Sequence, residues 1–351
     1  MLYSIQAYRG IAVLLVVLFH GTYKVEHNYG IEPFFGVFNY GFSGVHLFFV
    51  LSGFIILTAH MKDIGIPKRL FWYFKRRLIR IYPIYWLIFF FLGGWKFISV
   101  NIDLETFFLN AFLFTAGTKL VIAVSWTMLY EIIFYIIFAV LIINKKLGTI
   151  AIAVWFISIL LNWNNPGFVF LHHFNLLFIF GMLAATLRLK IMHFDSGIYS
   201  LISKISFSLG ILVFLGTSIY YSNLNVSLTS WPAHPVTIVG FGLASVLLVL
   251  GSASPEVEAA FKRHNILRLI GDASYSIYLV HLWSLKALFN LVRSLTERAT
   301  GIALDDGMGQ SLLVSDILLS FIVIFSVLVG IIVHLKVEQP LLLFLRKNFI
   351  K

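Results

Sequence analysis

Long apolar runs separated by short polar stretches repeat along the chain. A bilayer core of about 30 Å is crossed by a helix of about 20 apolar residues, and most of the runs approach that length. They predict ten transmembrane helices, at residues 5–23, 41–60, 81–98, 121–143, 149–163, 168–187, 206–222, 236–251, 270–290 and 312–334. Residues 104–116, LETFFLNAFLFTA, are apolar but short for a crossing and predict an interfacial or re-entrant helix. The runs are continuous, whereas a membrane β-barrel needs alternating apolar and polar positions. No stretch is left for a separate soluble domain, a low-complexity linker or an internal repeat. The expected fold is an all-α polytopic bundle of about ten helices, forming one transmembrane domain over residues 1–351.

Composition sharpens this picture. Of the 351 residues 60% are hydrophobic and 12% charged, against about 25% charged in soluble domains. The N-terminal run lacks a small-residue cleavage site, so it is expected to stay as the first helix. The absence of Cys excludes disulfides, thiolate metal sites and a Cys nucleophile. The net charge of +11 does not point to nucleic acid, because the Lys and Arg fall between the apolar runs. With the N-terminus in the cytoplasm, twenty of the 26 Lys and Arg fall on the cytoplasmic side and five outside. Both termini are therefore expected to be cytoplasmic.

Some ionisable residues sit inside the runs. In RGIAVLLVVLFHG, Arg9 and His20 are eleven residues apart. On a helix that is about 1100°, within about 20° of three full turns, and about 16 Å along the axis. The two share a face, with Arg9 at the cytoplasmic end and His20 past the midplane. Glu131 in SWTMLYEIIFY and His281 in YSIYLVHLW lie at similar depth. Arg9 as an interfacial anchor, His20 as a satisfied packing residue, and Glu131 and His281 as polar clamps between helices, is the plain alternative. Ionisable groups at one depth in a low-dielectric bundle are what proton-transfer chemistry or a proton-coupled transporter needs.

The densest basic stretch is KRLFWYFKRRLIRIYP. Arg77 and Arg80 are three apart, about 60° around a helix, so they can grip one anion, with Lys75 and Arg76 beside them. The aromatic residues between them, Phe71, Trp72, Tyr73, Tyr82 and Tyr85, suit a phosphorylated ligand with a ring, although a lipid-facing anchor with an aromatic belt looks similar. Ser52 and Gly53 sit mid-span, where glycine allows close approach and serine offers a hydroxyl. There is no glycine-rich phosphate loop and no His-Glu-x-x-His motif, so no metal is expected.

In order along the chain, YRGIAVLLVVLFH, GVHLFFVLSGFII, FKRRLIRIYPIYW, SWTMLYEIIFY, ASYSIYLVHLW and VEQP resemble the motifs of the acyltransferase 3 family of membrane acyltransferases. Thr127 and Met128 stand where that family's Trp-Ser-Leu-x-x-Glu element has Ser and Leu. The resemblance implies transfer of an acyl group, commonly acetyl from cytoplasmic acetyl-CoA, to a hydroxyl of a carbohydrate such as an exopolysaccharide, O-antigen or lipid-linked saccharide. It implies a multi-pass protein of the bacterial inner membrane, of the type without an extra esterase-like domain. His20 would be the general base and Glu131 its orienting carboxylate, with an acyl-His intermediate as the alternative. Arg9, Arg77, Arg80, Lys75, Arg76, Ser52, Trp126 and Tyr82 would bind the acyl-CoA. His281, His46 and Tyr130 would touch the acceptor or support the catalytic pair. The expected partners are acyl-CoA, the saccharide and membrane lipids; nucleic acid is not expected, and a homo-oligomer is left open. A proton-coupled transporter of a small anionic solute is the competing class, and the missing internal repeat counts against it.

Overall fold

The computed structural model describes residues 2–94, 102–114, 119–163, 168–222, 234–300 and 311–349, and the regular structure among these residues is helical. Each expected span overlaps a helix, and fourteen α-helices lie among the described residues. They are α1 (Tyr3–Tyr29), α2 (Ser43–His60), α3 (Leu70–Ile88), α4 (Leu104–Ala111), α5 (Trp126–Ile143), α6 (Lys145–Leu161), α7 (Phe174–Ile191), α8 (Ser196–Ser222), α9 (Pro235–Gly251), α10 (Pro255–Arg263), α11 (Asn265–Asp272), α12 (Ser274–Thr300), α13 (Leu312–Val333) and α14 (Gln339–Phe349). Residues 95–98 of the third expected span and 115–116 of the short apolar stretch lie outside the described residues.

Polar residues start helices where the apolar pattern breaks. The Asp103 carboxylate accepts from the Thr106 N–H at 2.7 Å and caps α4. Asn144 separates α5 from α6 by accepting from the Leu147 N–H at 3.1 Å. Ser254 caps α10, with Pro255 at its first position, where a missing N–H costs nothing.

Six helical stretches are long and apolar enough to cross a membrane: Tyr3–Tyr29, Pro33–Asp63, Ala123–Ile143, Phe174–Ile191, Ser196–Tyr221 and Leu312–Phe349. Helices α9 and α10, bent by 92° at their break, make a seventh if they are taken as one span. The remaining helices fall short for identifiable reasons. α6 and α9 have 17 residues each, about 26 Å at 1.5 Å per residue. α3 carries Lys75, Arg76, Arg77 and Arg80 within its first eleven residues. In α12 the apolar positions are interspersed with Ser276, His281, Ser284 and Lys286. Large apolar side chains face outward, Phe91 at 75% exposure and Leu161 at 81%, a surface that suits lipid rather than water. This is a multi-pass membrane protein.

Two compact units make up the chain. The first comprises Met1–Ile5, His46–His264 and Leu341–Lys351; the second comprises Gln6–Val45 and Asn265–Pro340. In the first unit, Phe49 and Phe134 stack on Phe178, with ring centroids 4.7 Å away in each case. Three aromatic residues of α3 hold the end of the short helix α4: the Tyr82 hydroxyl donates to the Phe112 carbonyl at 3.0 Å, the Tyr85 hydroxyl to Asn110 at 2.7 Å, and Trp86 Nε1 to Ala111 at 2.8 Å. In the second unit, α1 and α11 meet backbone to backbone. A Cβ on Gly271 would lie 1.9 Å from the Gln6 carbonyl oxygen, and one on Gly10 would lie 2.6 Å from that of Leu267. Only glycine permits this approach.

Candidate active site

In the second unit, α1 presents Arg9 and His20 to the same neighbour, α12, as their eleven-residue spacing requires. Arg9 Nη2 donates to Ser274 Oγ at 2.9 Å, and Nη1 donates to Gln6 Oε1 at 3.1 Å. Gln6 in turn donates to Asp272. Two turns along α12 from Ser274, His281 Nε2 lies 3.3 Å from His20 Nδ1, with the rings 5.0 Å apart.

The hydrogen bonds of these two rings fix their protons. His20 Nδ1 is 2.9 Å from the Val16 carbonyl oxygen, and His281 Nδ1 is 2.7 Å from that of Tyr278. A carbonyl only accepts, so each Nδ1 carries the hydrogen. His281 Nε2 then holds a lone pair and accepts a share of the His20 Nδ1–H. In the neutral His20 ring the other nitrogen, Nε2, carries the lone pair and is the basic atom. His281 is fully buried and Ser284 and Ser326, sharing a 2.7 Å hydrogen bond, close the space beside its backbone. Further along this unit the buried Glu338 carboxylate accepts from Ser276 Oγ and from His334 Nδ1, both at 2.8 Å. This ties α12 to the π-helical turn His334–Glu338.

In the first unit, α5 carries Glu131 and α2 carries Ser52. Ser52 Oγ donates to Glu131 Oε1 at 3.3 Å, and the Tyr135 hydroxyl donates to the same oxygen at 2.6 Å. Gly53 serves helix packing: a Cβ there would lie 2.1 Å from the Phe178 carbonyl oxygen, and one on Gly181 would lie 2.0 Å from that of Val50. The crossing of α2 and α7 is therefore as tight as helices allow. Trp126, Tyr130 and His46 join one aromatic group around Phe174, with centroids 5.3, 5.6 and 5.7 Å from it. Trp126 and Tyr130 also meet edge to face at 5.8 Å.

The basic residues of α3 diverge. Lys75 lies over Trp72 at 5.1 Å and over Phe71 at 5.5 Å, and Arg76 is exposed. Arg80 is partly buried on the side of α3 that Arg77 shares. Arg77 turns inward, its Nη2 donating to His60 Nε2 at 2.6 Å, and His60 Nδ1 lies 2.8 Å from Asp63 Oδ2. The Tyr82 hydroxyl donates to the Phe112 carbonyl at the end of α4. Sequence reasoning passed over His60, Asp63 and Tyr135. The i, i+3 pair His60 and Asp63 ahead of the basic run, and the i, i+4 placement of Tyr135 after Glu131, were the available signals.

Within the first unit, then, Ser52, Glu131 and Tyr135 come together, as do Arg77, His60 and Asp63. Within the second, Arg9 meets Ser274 and His20 meets His281. Among the described residues no three His, Asp or Glu side chains gather as a metal site.

The family model for an acyltransferase domain matches residues 2–336. A similar protein is the exopolysaccharide production protein ExoZ of Rhizobium meliloti (strain 1021), 25% identical over 93% of this chain and 94% of that protein. No solved structure matches at a significant level. The family match runs through both units, from the residues before Arg9 to those beyond His334, and on this ground the chain belongs to the acyltransferase 3 family.

Proposed function

We propose that this protein moves an acetyl group from cytoplasmic acetyl-CoA to a hydroxyl of an exopolysaccharide or its lipid-linked precursor, in the bacterial inner membrane. The family supports acyl transfer. The name of the similar rhizobial protein supports a polysaccharide acceptor. We take the ten apolar runs as ten spans with both termini cytoplasmic, which puts the basic run of α3 on the side where acyl-CoA is found.

The observation that supports the reading is the His20 ring held at Nδ1 by the Val16 carbonyl and facing His281 Nε2, which in the neutral ring leaves the lone pair at Nε2. His20 Nε2 takes the proton of the acceptor hydroxyl as its oxygen attacks the thioester carbonyl. The new C–O bond forms, the C–S bond breaks, and the imidazolium returns its proton to the departing sulfur. Glu131 is the second catalytic residue, a carboxylate kept in place by Ser52 and Tyr135. An acyl-His intermediate uses the same residues. Donor binding falls to Arg77 and Arg80, with Lys75, Arg76, Arg9, Ser52, Trp126 and Tyr82. Arg77 fits a polyanionic donor because its guanidinium has no carboxylate partner among the described residues. His281 supports His20, and His46 and Tyr130 belong to the acceptor side.

The test is transfer of labelled acetyl from acetyl-CoA to a saccharide by the purified protein in lipid nanodiscs. Labelled saccharide is expected. Failure with every acyl-CoA and every saccharide offered, together with no CoA binding, overturns the assignment.

A further inference from the structure

Arg77 is held by side chains of two neighbouring helices. Its guanidinium carbon lies 6.0 Å from the ring centre of Tyr73 and 5.8 Å from that of Tyr135. Its hydrogen-bond partner among the described residues is His60. Its Nε is buried without a partner. A guanidinium carries five N–H donors, so most of them are unspent. Arg77 is partly buried and its Nε is unpartnered, so an anion beside it would be favoured.

His60 is 1% exposed and packs edge to face on Tyr73 at 4.9 Å. A carboxylate only accepts and a guanidinium only donates. The contacts of 2.8 Å to Asp63 and 2.6 Å to Arg77 therefore assign the hydrogen to His60 Nδ1 and the lone pair to Nε2. The ring is neutral and each nitrogen has one task. Asp63 is held from its other side, with Oδ1 3.8 Å from Arg69 Nε. A carboxylate placed directly on Arg77 would cancel its charge. A neutral imidazole placed between the two orients the guanidinium and leaves its charge for a ligand.

We propose that His60 and Asp63 are positioning residues of an oxyanion site at Arg77, and that the anion is a phosphate of the acyl donor. This rests on the reading of Arg77 as a donor-binding residue. An anionic lipid headgroup offers the same chemistry, so the lipid is one arm of the test.

The experiment measures CoA affinity by calorimetry, and donor KM and kcat with acetyl-CoA, in phosphatidylcholine nanodiscs with and without phosphatidylglycerol. Glutamine carries an acceptor near the place of Nε2, and asparagine a donor near that of Nδ1. His60→Asn should raise donor KM and weaken CoA binding about tenfold, as expected for a lost hydrogen bond to a charged group, while kcat changes little. His60→Gln should stay within about threefold of wild type, because it keeps the acceptor for Arg77. Asp63→Ala, on the partly exposed side, should raise donor KM by less than His60→Asn does. Equal effects of the Asn and Gln variants, or a loss in kcat alone, overturn the proposal and leave an ordinary packing role. A defect that appears only with phosphatidylglycerol present overturns it in favour of a lipid site. Arg77→Ala is the control: unchanged CoA affinity there overturns the donor reading itself. Weakened affinity there with none in His60→Asn defeats the positioning role alone.

Discussion

His281 Nε2 accepts from the Nδ1 side of the His20 ring, opposite Nε2. The two residues are 261 positions apart in sequence, and one hydrogen-bond pattern fixes the protons of both rings. His281→Ala removes the acceptor and frees the ring to turn or to change tautomer. A neutral hydrogen bond contributes about 1 kcal/mol, so kcat should fall about five- to tenfold with donor KM nearly unchanged. His281→Gln, which restores an acceptor, should recover most of the loss. Steady-state kinetics with purified variants checks both, and an effect confined to donor KM would contradict the supporting role.

Glu131 receives two hydroxyl hydrogen bonds of unequal quality. The Tyr135 contact is short and charge-assisted, so Tyr135→Phe should lower kcat about tenfold. The Ser52 contact is longer, and Ser52→Ala should cost no more than about threefold. Glu131→Gln, which removes the charge, should cost about a hundredfold or more. Acetyl transfer at saturating donor checks this ranking, with Glu131→Gln the most severe, Tyr135→Phe next and Ser52→Ala the mildest. A Glu131→Gln enzyme with wild-type kcat would remove the carboxylate from the chemistry.

The crossing of α2 and α7 makes a separate prediction about stability. Gly181→Ala puts a Cβ into the Val50 carbonyl, which no rotamer relieves, and should destabilise by about 1–3 kcal/mol. Gly216→Ala on α8 meets nothing within 4 Å and should leave stability unchanged or slightly higher. Thermal unfolding of the two variants in one detergent separates them.

Much of this site could be read from spacing alone. Arg9 and His20 share a face because eleven residues nearly complete three helical turns, and both meet α12. The depth of His281 in its apolar run was equally visible, since ionisable residues are rare at such positions. The contact between His60 and Arg77 was not visible. His60 ends an apolar run beside a polar loop, where a histidine reads as an interface marker, and its partner Arg77 arrives only after the chain turns into α3. Ser52 could be seen as a mid-span hydroxyl, but its bond to Glu131 depends on the tertiary crossing of helices 79 residues apart. The runs were legible as helices, whereas their fitness to span was not uniform: the basic residues of α3 and the polar residues of α12 lower their apolar character.

The central measurement is acceptor-dependent release of CoA from acetyl-CoA by purified His20→Ala beside wild type, with CoA binding followed in parallel. Loss of a general base should lower the rate by about 10²- to 10⁴-fold while CoA affinity stays the same. Release within a few-fold of wild type would show that the His20 imidazole takes no proton in the reaction, and the mechanism built on it would fall.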